Sequence, residues 1–429
     1  MIIAPLRLGI AGLGTVGVGV LKMIKKNTSL ISLRTGRDVT VTAVSARSRS
    51  KDRGIDLSDF AWEANPIALA MRKDVDVFIE LMGGSDGPAK DATEAAIAAG
   101  KDVVTANKAM LAVHGQSLAL AAESAGQVIR FEAAVAGGIP VVKALSEGLA
   151  GNKINRILGV MNGSCNYILT RMETSGLTYE DVFAEANALG YLEADPNLDV
   201  GGIDAAHKLA LLASIAYGTE VDFDNVVLEG IGAVTIEDIR AAADMGYRVK
   251  LLGVAQMTGR GLEQRMTPCL VPTSSPLGQL EGGTNMVILE GDDSGQIVLR
   301  GAGAGEGPTA SAVMSDILDL ARGLRLNTFG QPAKTLSKAH PAATTTPAPF
   351  YLRMQLLDKP GALAKIAAVM GEAGVSIDRM RQYGHDAGKA PVLIVTHKTT
   401  RAAIDQVLVD FNITKVVKGT PVALRIETA

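Results

Sequence analysis

The chain has 429 residues, 47% of them hydrophobic and 20% charged, with a formal net charge of −3. That length allows two to four domains of ~100–200 residues each, and a balance so close to neutral gives no electrostatic footprint for nucleic acid or an anionic membrane. Two cysteines, Cys165 and Cys269, make no disulfide framework and have no metal-ligand spacing, so each reads as a small buried apolar residue. No charged leader with an apolar core opens the sequence, and no apolar run reaches the ~18 residues that span a bilayer. A soluble, cytoplasmic protein is expected.

From Leu6 to Val135, short apolar runs alternate with helix-period segments. "LRLGIAG", "VTVTAVS" (Val39–Ser45), "VDVFIEL" (Val75–Leu81), "DVVTA" (Asp102–Ala106) and "QVIRFEA" (Gln127–Ala133) read as strands. Strands alternating with helices imply a parallel sheet covered on both faces. The first strand runs into Gly12-Leu13-Gly14-Thr15-Val16-Gly17 and then a helix. A GxGxxG is weak evidence alone, but strand before and helix after is the context of a dinucleotide-binding loop. Gly12 permits the tight turn, Gly14 lets a pyrophosphate approach, and Gly17 lets helix pack on strand. Free N–H groups of the helix start then hold the anion.

After the second strand an NAD site usually carries an acidic residue for the ribose 2′-hydroxyl. Here the run is Ala46-Arg47-Ser48-Arg49. Arg47 can meet a 2′-phosphate through two hydrogen bonds, so NADP is favoured, with NAD use still open. Ligands bind at the carboxyl ends of parallel strands. That rule brings in Gly83, Gly84 and Ser85 after "VFIEL", and Lys108 after "DVVT".

The middle of the chain reads differently. "NRILGVMNG" looks like a strand, and helices are expected at Cys165–Glu173, Tyr179–Leu189, Ile203–Tyr217 and Ile236–Met245. "RVKLLGVAQM", "LEQRMTPCLV", "NMVILEG" and "QIVLRGAG" follow as four strand-like runs. Strands joined without helices suggest an antiparallel or mixed sheet, hence a second, α+β domain for substrate binding and dimerisation over 138–302. The helix Gly305–Leu324 opens after a glycine-rich turn at Gly303 and Gly305. It is expected to rejoin the first domain, which would then comprise 1–137 and 303–328. Residues 329–349 are rich in Pro, Ala and Thr, without period or apolar bulk, and read as a linker. Phe350 to Ala429 alternates as βαββαβ, a ferredoxin-like module.

Between Gly190 and Ala213, "GYLEADPNLDVGGIDAAHKLALLA" sets Glu193, Asp195, Asp199, Asp204, His207 and Lys208 directly before an apolar helix. Asp204 and Lys208 stand four apart and share a helix face. Spacing alone is equally compatible with a surface ion pair. His207 points about 100° from Lys208 and reads as a packing or surface residue, and Asp195 before Pro196 reads as a turn residue.

This stretch closely resembles the signature of homoserine dehydrogenases. So do "TANKAML", "FEAAVAGGIP", "NGSCNYILTRM" and "RGAGAGEGPTASAVMSDI", in the family's order over the first three-quarters of the chain. The tail "LLDKPGALAKIAAVMGEAGVSIDRM" resembles an ACT domain, a small amino-acid-sensing module. Together they look like the longer monofunctional type. The resemblance implies reversible NAD(P)H-dependent reduction of L-aspartate 4-semialdehyde to L-homoserine. It implies Lys208 as proton donor to the carbonyl oxygen, Asp204 orienting lysine and substrate, and Lys108 as a second catalytic or cofactor-contacting lysine. Glu193 matches the position that meets the substrate amino group, and Asp199 matches a supporting acidic position. Thr15, Val16, Gly83, Gly303 and Gly305 would touch the cofactor. Relatives bind a monovalent cation, taken as sodium, at positions matching Glu132, Val135, Gly137 and Ile139; hard oxygen ligands suit it.

The ACT resemblance implies L-threonine as an effector at a subunit interface near Asp358–Leu363, and a homodimer or homotetramer. Truncation before Tyr351 would then leave a competent, uninhibited enzyme. Two other readings stand beside this one. A different two-domain Rossmann oxidoreductase would typically carry Glu-Lys-Pro where this chain has Asn107-Lys108-Ala109. A non-catalytic ACT-domain amino-acid sensor would not need Lys108, Glu193, Asp204 and Lys208 together.

Overall fold

The computed structural model describes residues 4–192, 195–383 and 389–428. Its first layer is a six-stranded parallel sheet of β1 (Leu6–Ala11), β2 (Val39–Ser45), β3 (Ala61–Glu63), β4 (Val77–Glu80), β5 (Asp102–Thr105) and β6 (Ile129–Arg130). The order is β3-β2-β1-β4-β5-β6, the Rossmann arrangement with its switch point beside β1. The strands are apolar because both faces are covered: β4 and β5 are buried at every position. Two expectations need adjustment. Trp62 lies in a three-residue strand too short to leave a periodic signal. The strand expected over Gln127–Ala133 shrinks to Ile129–Arg130, because Glu132–Ala134 turns into a 3-10 helix.

The helix Glu306–Arg322 lies across the first helix, Thr15–Thr35. A Cβ on Gly19 would press into the Glu306 side chain, and Lys22 Nζ pairs with Glu306 at 2.9 Å. The returning chain is therefore packed on the nucleotide-loop helix.

The second sheet begins with β7 (Ile154–Val160), β8 (Val227–Leu228), β9 (Tyr247–Thr258), β10 (Gly261–Pro272), β11 (Thr284–Gly291) and β12 (Gly295–Ala302). The C-terminal module adds β13 (Phe350–Leu357), β14 (Ile377–Gln382), β15 (Lys389–Thr396) and β16 (Val417–Ile426), with helices Ala362–Glu372 and Arg401–Ile413. These strands form one continuous sheet, β12-β11-β7-β9-β10-β16-β13-β15-β14, with β8 also on β10. The join is β10 to β16, parallel through Cys269↔Arg425 and Leu270↔Ile426. Upstream, β8 pairs with Arg265 and Met266. Pro268 falls between these two outer partners, where its missing N–H costs no ladder bond.

The segment Gln331–Phe350 is not a loose tether. Ala333 N donates to both Glu123 carboxylate oxygens, at 3.0 and 2.9 Å. His340 O accepts from Leu262 N at 2.8 Å, and Thr346 N and Oγ1 reach Glu263 Oε2 at 2.9 and 2.8 Å. Hydrogen bonds hold it, and its buried apolar residues, Ala333, Leu336, Ala339 and Ala348, fall at irregular intervals, so hydropathy shows no period. The C-terminal residues add a buried charge cluster. Glu427, 4% exposed, pairs with Arg265, with Arg425 at 2.5 Å, and with Arg156 of β7 at 3.4 Å. Cutting before Tyr351 would strip this partner from Arg265 as well as removing β16 from β10, so the truncated chain is not simply the intact catalytic part.

Glu427→Ala should therefore destabilise the protein by about 3 kcal/mol, since breaking a buried ion pair strands its partner. Urea unfolding of the two proteins measures it, and a difference below about 1 kcal/mol would show that solvent replaces the carboxylate without loss.

Candidate active site

The glycine loop tests each glycine separately. Gly12 has φ 101°, and a Cβ there would collide with the Leu81 carbonyl. A Cβ on Gly17 would strike the Gly12 carbonyl oxygen. Gly14 meets nothing within 4 Å, so its face is open to a ligand. The helix Thr15–Thr35 has no side-chain cap and no acidic residue in its first turn, which leaves its N–H groups and positive dipole end for an anion. At the end of β2, Arg47 is exposed. Sequence reading missed its support: Arg53 donates to Leu13 O at 3.2 Å and Ser48 O at 2.6 Å, tying the basic loop to the glycine loop.

At the ends of β4 and β5 a buried network shapes the rim. Glu80 Oε1 accepts from Met82 N at 2.7 Å and Gly83 N at 3.2 Å, while Oε2 accepts from Thr105 Oγ1 at 2.6 Å. Asn107 caps the helix Lys108–Ser124 through Met110 N and donates to Gly84 O at 2.7 Å. Lys108 is thereby fixed in the first turn of its helix beside the Gly83–Gly84 loop. Glu80 does not stand out in the sequence, because a buried polar residue at a strand end looks like a boundary.

A cleft of about 550 Å³ separates the two sheets. Val16, Lys108, Gly137, Asp199, Asp204, Lys208 and Gly303 line it, joined by Asn162, Ser164, Tyr191 and Asn285. Asp204 stands between two ammonium groups. Its Oδ1 is 2.7 Å from Lys108 Nζ and its Oδ2 is 2.6 Å from Lys208 Nζ. Burial opposes its charge, but the two lysines outweigh burial and hold the carboxyl well below the usual carboxylate range. Lys208 Nζ also donates to Met161 O at 2.9 Å. An ammonium has three donors; among the described residues these two partners account for two of them.

The helix Ile203–Tyr217 agrees with its expected limits. Asp204 and Lys208 occupy its first turn and a half, and Leu209 to Ala213 are buried behind them. Asp199 is held by Asn162 Nδ2 at 2.9 Å, and Asn162 caps the helix Gly163–Ser175 through Cys165 N at 2.7 Å. His207 packs against Phe223, ring centroids 4.2 Å apart and planes tilted by 43°, outside the cleft lining. Cys165 and Cys269 are buried and unpaired. Glu193 lies outside the described residues. Glu132 is buried beneath the cleft, its oxygens accepting from Val142 N at 3.0 Å and Lys143 N at 2.8 Å, while Gly305 begins the helix Glu306–Arg322 as its cap.

A Rossmann sheet with an open glycine loop, a cleft at its strand ends and a lysine-clamped carboxylate on the helix Ile203–Tyr217 define a nicotinamide-dependent oxidoreductase. Comparison with known proteins narrows this. The NAD-binding domain of homoserine dehydrogenase matches residues 12–132, the homoserine dehydrogenase domain matches 140–318, and an ACT domain matches 350–409. Homoserine dehydrogenase from Neisseria gonorrhoeae is 43% identical over 408 residues, 93% of each chain. The structure of a homoserine dehydrogenase from Thiobacillus denitrificans superposes with a TM-score of 0.93 at 37% identity, over 99% of this chain and 98% of that one. A hyperthermophilic archaeal homoserine dehydrogenase in complex with NADPH superposes with a TM-score of 0.62 at 25% identity, over 73% of this chain and 97% of that one. The chain belongs to the homoserine dehydrogenase family.

The contrast within the glycine loop gives a test. Gly14→Ala should keep the melting temperature within a few degrees yet weaken nicotinamide nucleotide binding at least ~10-fold, about 1.4 kcal/mol. Gly12→Ala should lower the melting temperature as well, because a left-handed turn and a backbone collision both oppose it. Thermal melts with and without NADPH separate the two effects; equal unfolding penalties would contradict the open face at Gly14.

Proposed function

We propose that the protein interconverts L-aspartate 4-semialdehyde and L-homoserine with NADP(H), and that Lys208 is its proton donor. The carrying observation is Asp204 clamping Lys108 and Lys208 at 2.7 and 2.6 Å inside the cleft. When bound, the nicotinamide supplies the hydride. What the chain must supply is charge control at the aldehyde oxygen, which becomes an alkoxide as the hydride arrives. Among the described residues, Asp204 and Met161 O take two of the three Lys208 donor directions, and the third can meet that oxygen and give up its proton there. In the reverse direction the neutral amine takes the hydroxyl proton. Asp204 keeps both lysines close without neutralising either, and Lys108 brings the second positive charge from the strand-end side.

The remaining groups serve the zwitterionic end: Glu193 for the ammonium, Asp199 and its Asn162 partner as support. Arg47, with no acidic residue after β2, supports NADP over NAD. Lys208→Ala should lower kcat by roughly 10²–10⁴-fold with NADPH affinity unchanged, as expected for a group that acts in the transition state. Homoserine-dependent NADPH formation, beside a binding titration, measures both. A variant keeping over a tenth of wild-type kcat would remove Lys208 from the role.

Regulation by L-threonine and assembly as a homodimer or homotetramer belong to the same proposal. Support for coupling comes from the docking of the ACT layer on the helix Ile236–Asp244. Fully buried Asp238 pairs with Arg353, and Asp244 pairs with Arg381 at 2.5 Å.

A monovalent cation fits the segment around Glu132. Burial first, and Asp316 second, push the Glu132 carboxyl up to about 7. Such a carboxylate gains from a fixed positive charge. Ala136 and Gly137 are consecutive left-handed residues, φ 55° and 57°, which turns the backbone sharply here; Ile139 O accepts from Val141 N at 2.8 Å and keeps a second lone pair for coordination. Glu132 and the carbonyls of Val135, Gly137 and Ile139 would hold sodium. Because the folded pKa of Glu132 exceeds its ordinary 4.5, the folded state retains a proton that the unfolded state has released. Stability should thus fall as pH rises from about 4.5 to about 7. Melting temperatures across that range should fall further in tetramethylammonium than in sodium chloride. Superimposable curves in the two salts would rule out the site.

A further inference from the structure

Asn285, one residue into β11, is 1% exposed yet lines the cleft. Its side-chain Oδ1 is buried without a hydrogen-bond partner among the described residues. Buried polar atoms are nearly always paired, and an orphan acceptor at a ligand cleft calls for a donor that arrives with the ligand. The surroundings are built around this carboxamide. A Cβ on Gly303 would overlap its amide group, and a Cβ on Gly163 would sit 3.5 Å from Oδ1. Directly across the strand pair stands Gly301. A Cβ on Gly137 would in turn overlap the Gly303 carbonyl. Glycines therefore surround the amide on the side of the nucleotide-binding layer and on the side where the helix Gly163–Ser175 begins.

We propose that Asn285 is a ligand-binding residue whose carboxamide oxygen accepts an N–H donor brought into the cleft. Two sources offer that chemistry: the α-ammonium of the amino-acid substrate and the carboxamide N–H of the nicotinamide. The inference rests on the proposed function for the identity of both. The position explains why Gly303 must lack a side chain: any Cβ there would expel the amide from the seam between the two layers. It also explains a buried polar residue directly before the apolar run Met286–Leu289.

The test uses the full-length protein with Asn285→Leu and Asn285→Asp. Leucine removes the acceptor, whereas aspartate preserves it in nearly the same shape. Asn285→Leu should raise either the homoserine KM or the NADPH dissociation constant at least ~10-fold, with Asn285→Asp returning that constant to within ~3-fold of wild type. A shift in KM alone identifies the substrate ammonium as donor, and a shift in NADPH affinity alone identifies the nicotinamide amide. If neither constant moves by more than ~2-fold, or aspartate fails as badly as leucine, the proposal is overturned. Should Asn285→Leu fail to fold, Asn285→Ser replaces it, since serine is too short to reach the same point. The NADPH titration needs no turnover. A wild-type protein inactive on homoserine would therefore sink the functional reading separately, and an unchanged NADPH constant would then overturn the role of Asn285.

Discussion

One buried carboxylate between two ammonium groups is the constraint around which the rest of the molecule is arranged. Asp204 alone would be costly to bury, and so would either lysine. Together they form a triad with one negative and two positive charges, facing a cleft where negative charge develops. Lys108 comes from the end of β5 and Asp204 with Lys208 from the helix Ile203–Tyr217, so the triad also ties the Rossmann layer to the second sheet. Anything that shifted one layer against the other would separate the charges. That explains the density of supporting polar contacts near it: Glu80 and Asn107 on one side, Asn162 and Met161 O on the other.

The same logic extends outward through β7. Its C-terminal end delivers Met161 and Asn162 to the site, while Arg156 near its start reaches Glu290 and Glu427. The C-terminal module is thus in register with the strand that feeds the cleft, through both the β10–β16 pairing and the Glu427 cluster. A continuous sheet is a stiffer connection than a flexible tether, because shifting one strand breaks ladder bonds on both sides.

Much of the architecture was legible from residue order. The Rossmann strands, the helix Ile203–Tyr217, the antiparallel run β9 to β12 and the βαββαβ tail all carry strong periodicity or strong punctuation, and the structure bears out the fold class they imply. Asp204 and Lys208 were visible as a pair because four residues make one helical turn. Less visible were residues whose importance is wholly spatial. Asn285 and Glu80 sit in apolar strands, where a lone polar residue resembles a boundary. Arg53 lies in a basic loop that looks uniform in one dimension. The segment Gln331–Phe350 lacks period since its buried apolar residues fall at irregular intervals.

By itself, then, the order of amino acids determined the kinds of element, the glycine loop with its missing acidic partner, and the chemical types gathered at the charged stretch. These are local properties, set by periods of two and 3.6 residues and by backbone conformations that only particular side chains allow. The tertiary structure alone decided that Lys108, roughly a hundred residues before Asp204, shares its carboxylate with Lys208, that β16 continues the sheet through β10, and that the Asn285 amide packs directly against Gly303. The physical reason is that Coulomb attraction and hydrogen bonding depend on distance in space. Sequence separation carries no information about that distance until packing of the apolar faces has fixed it.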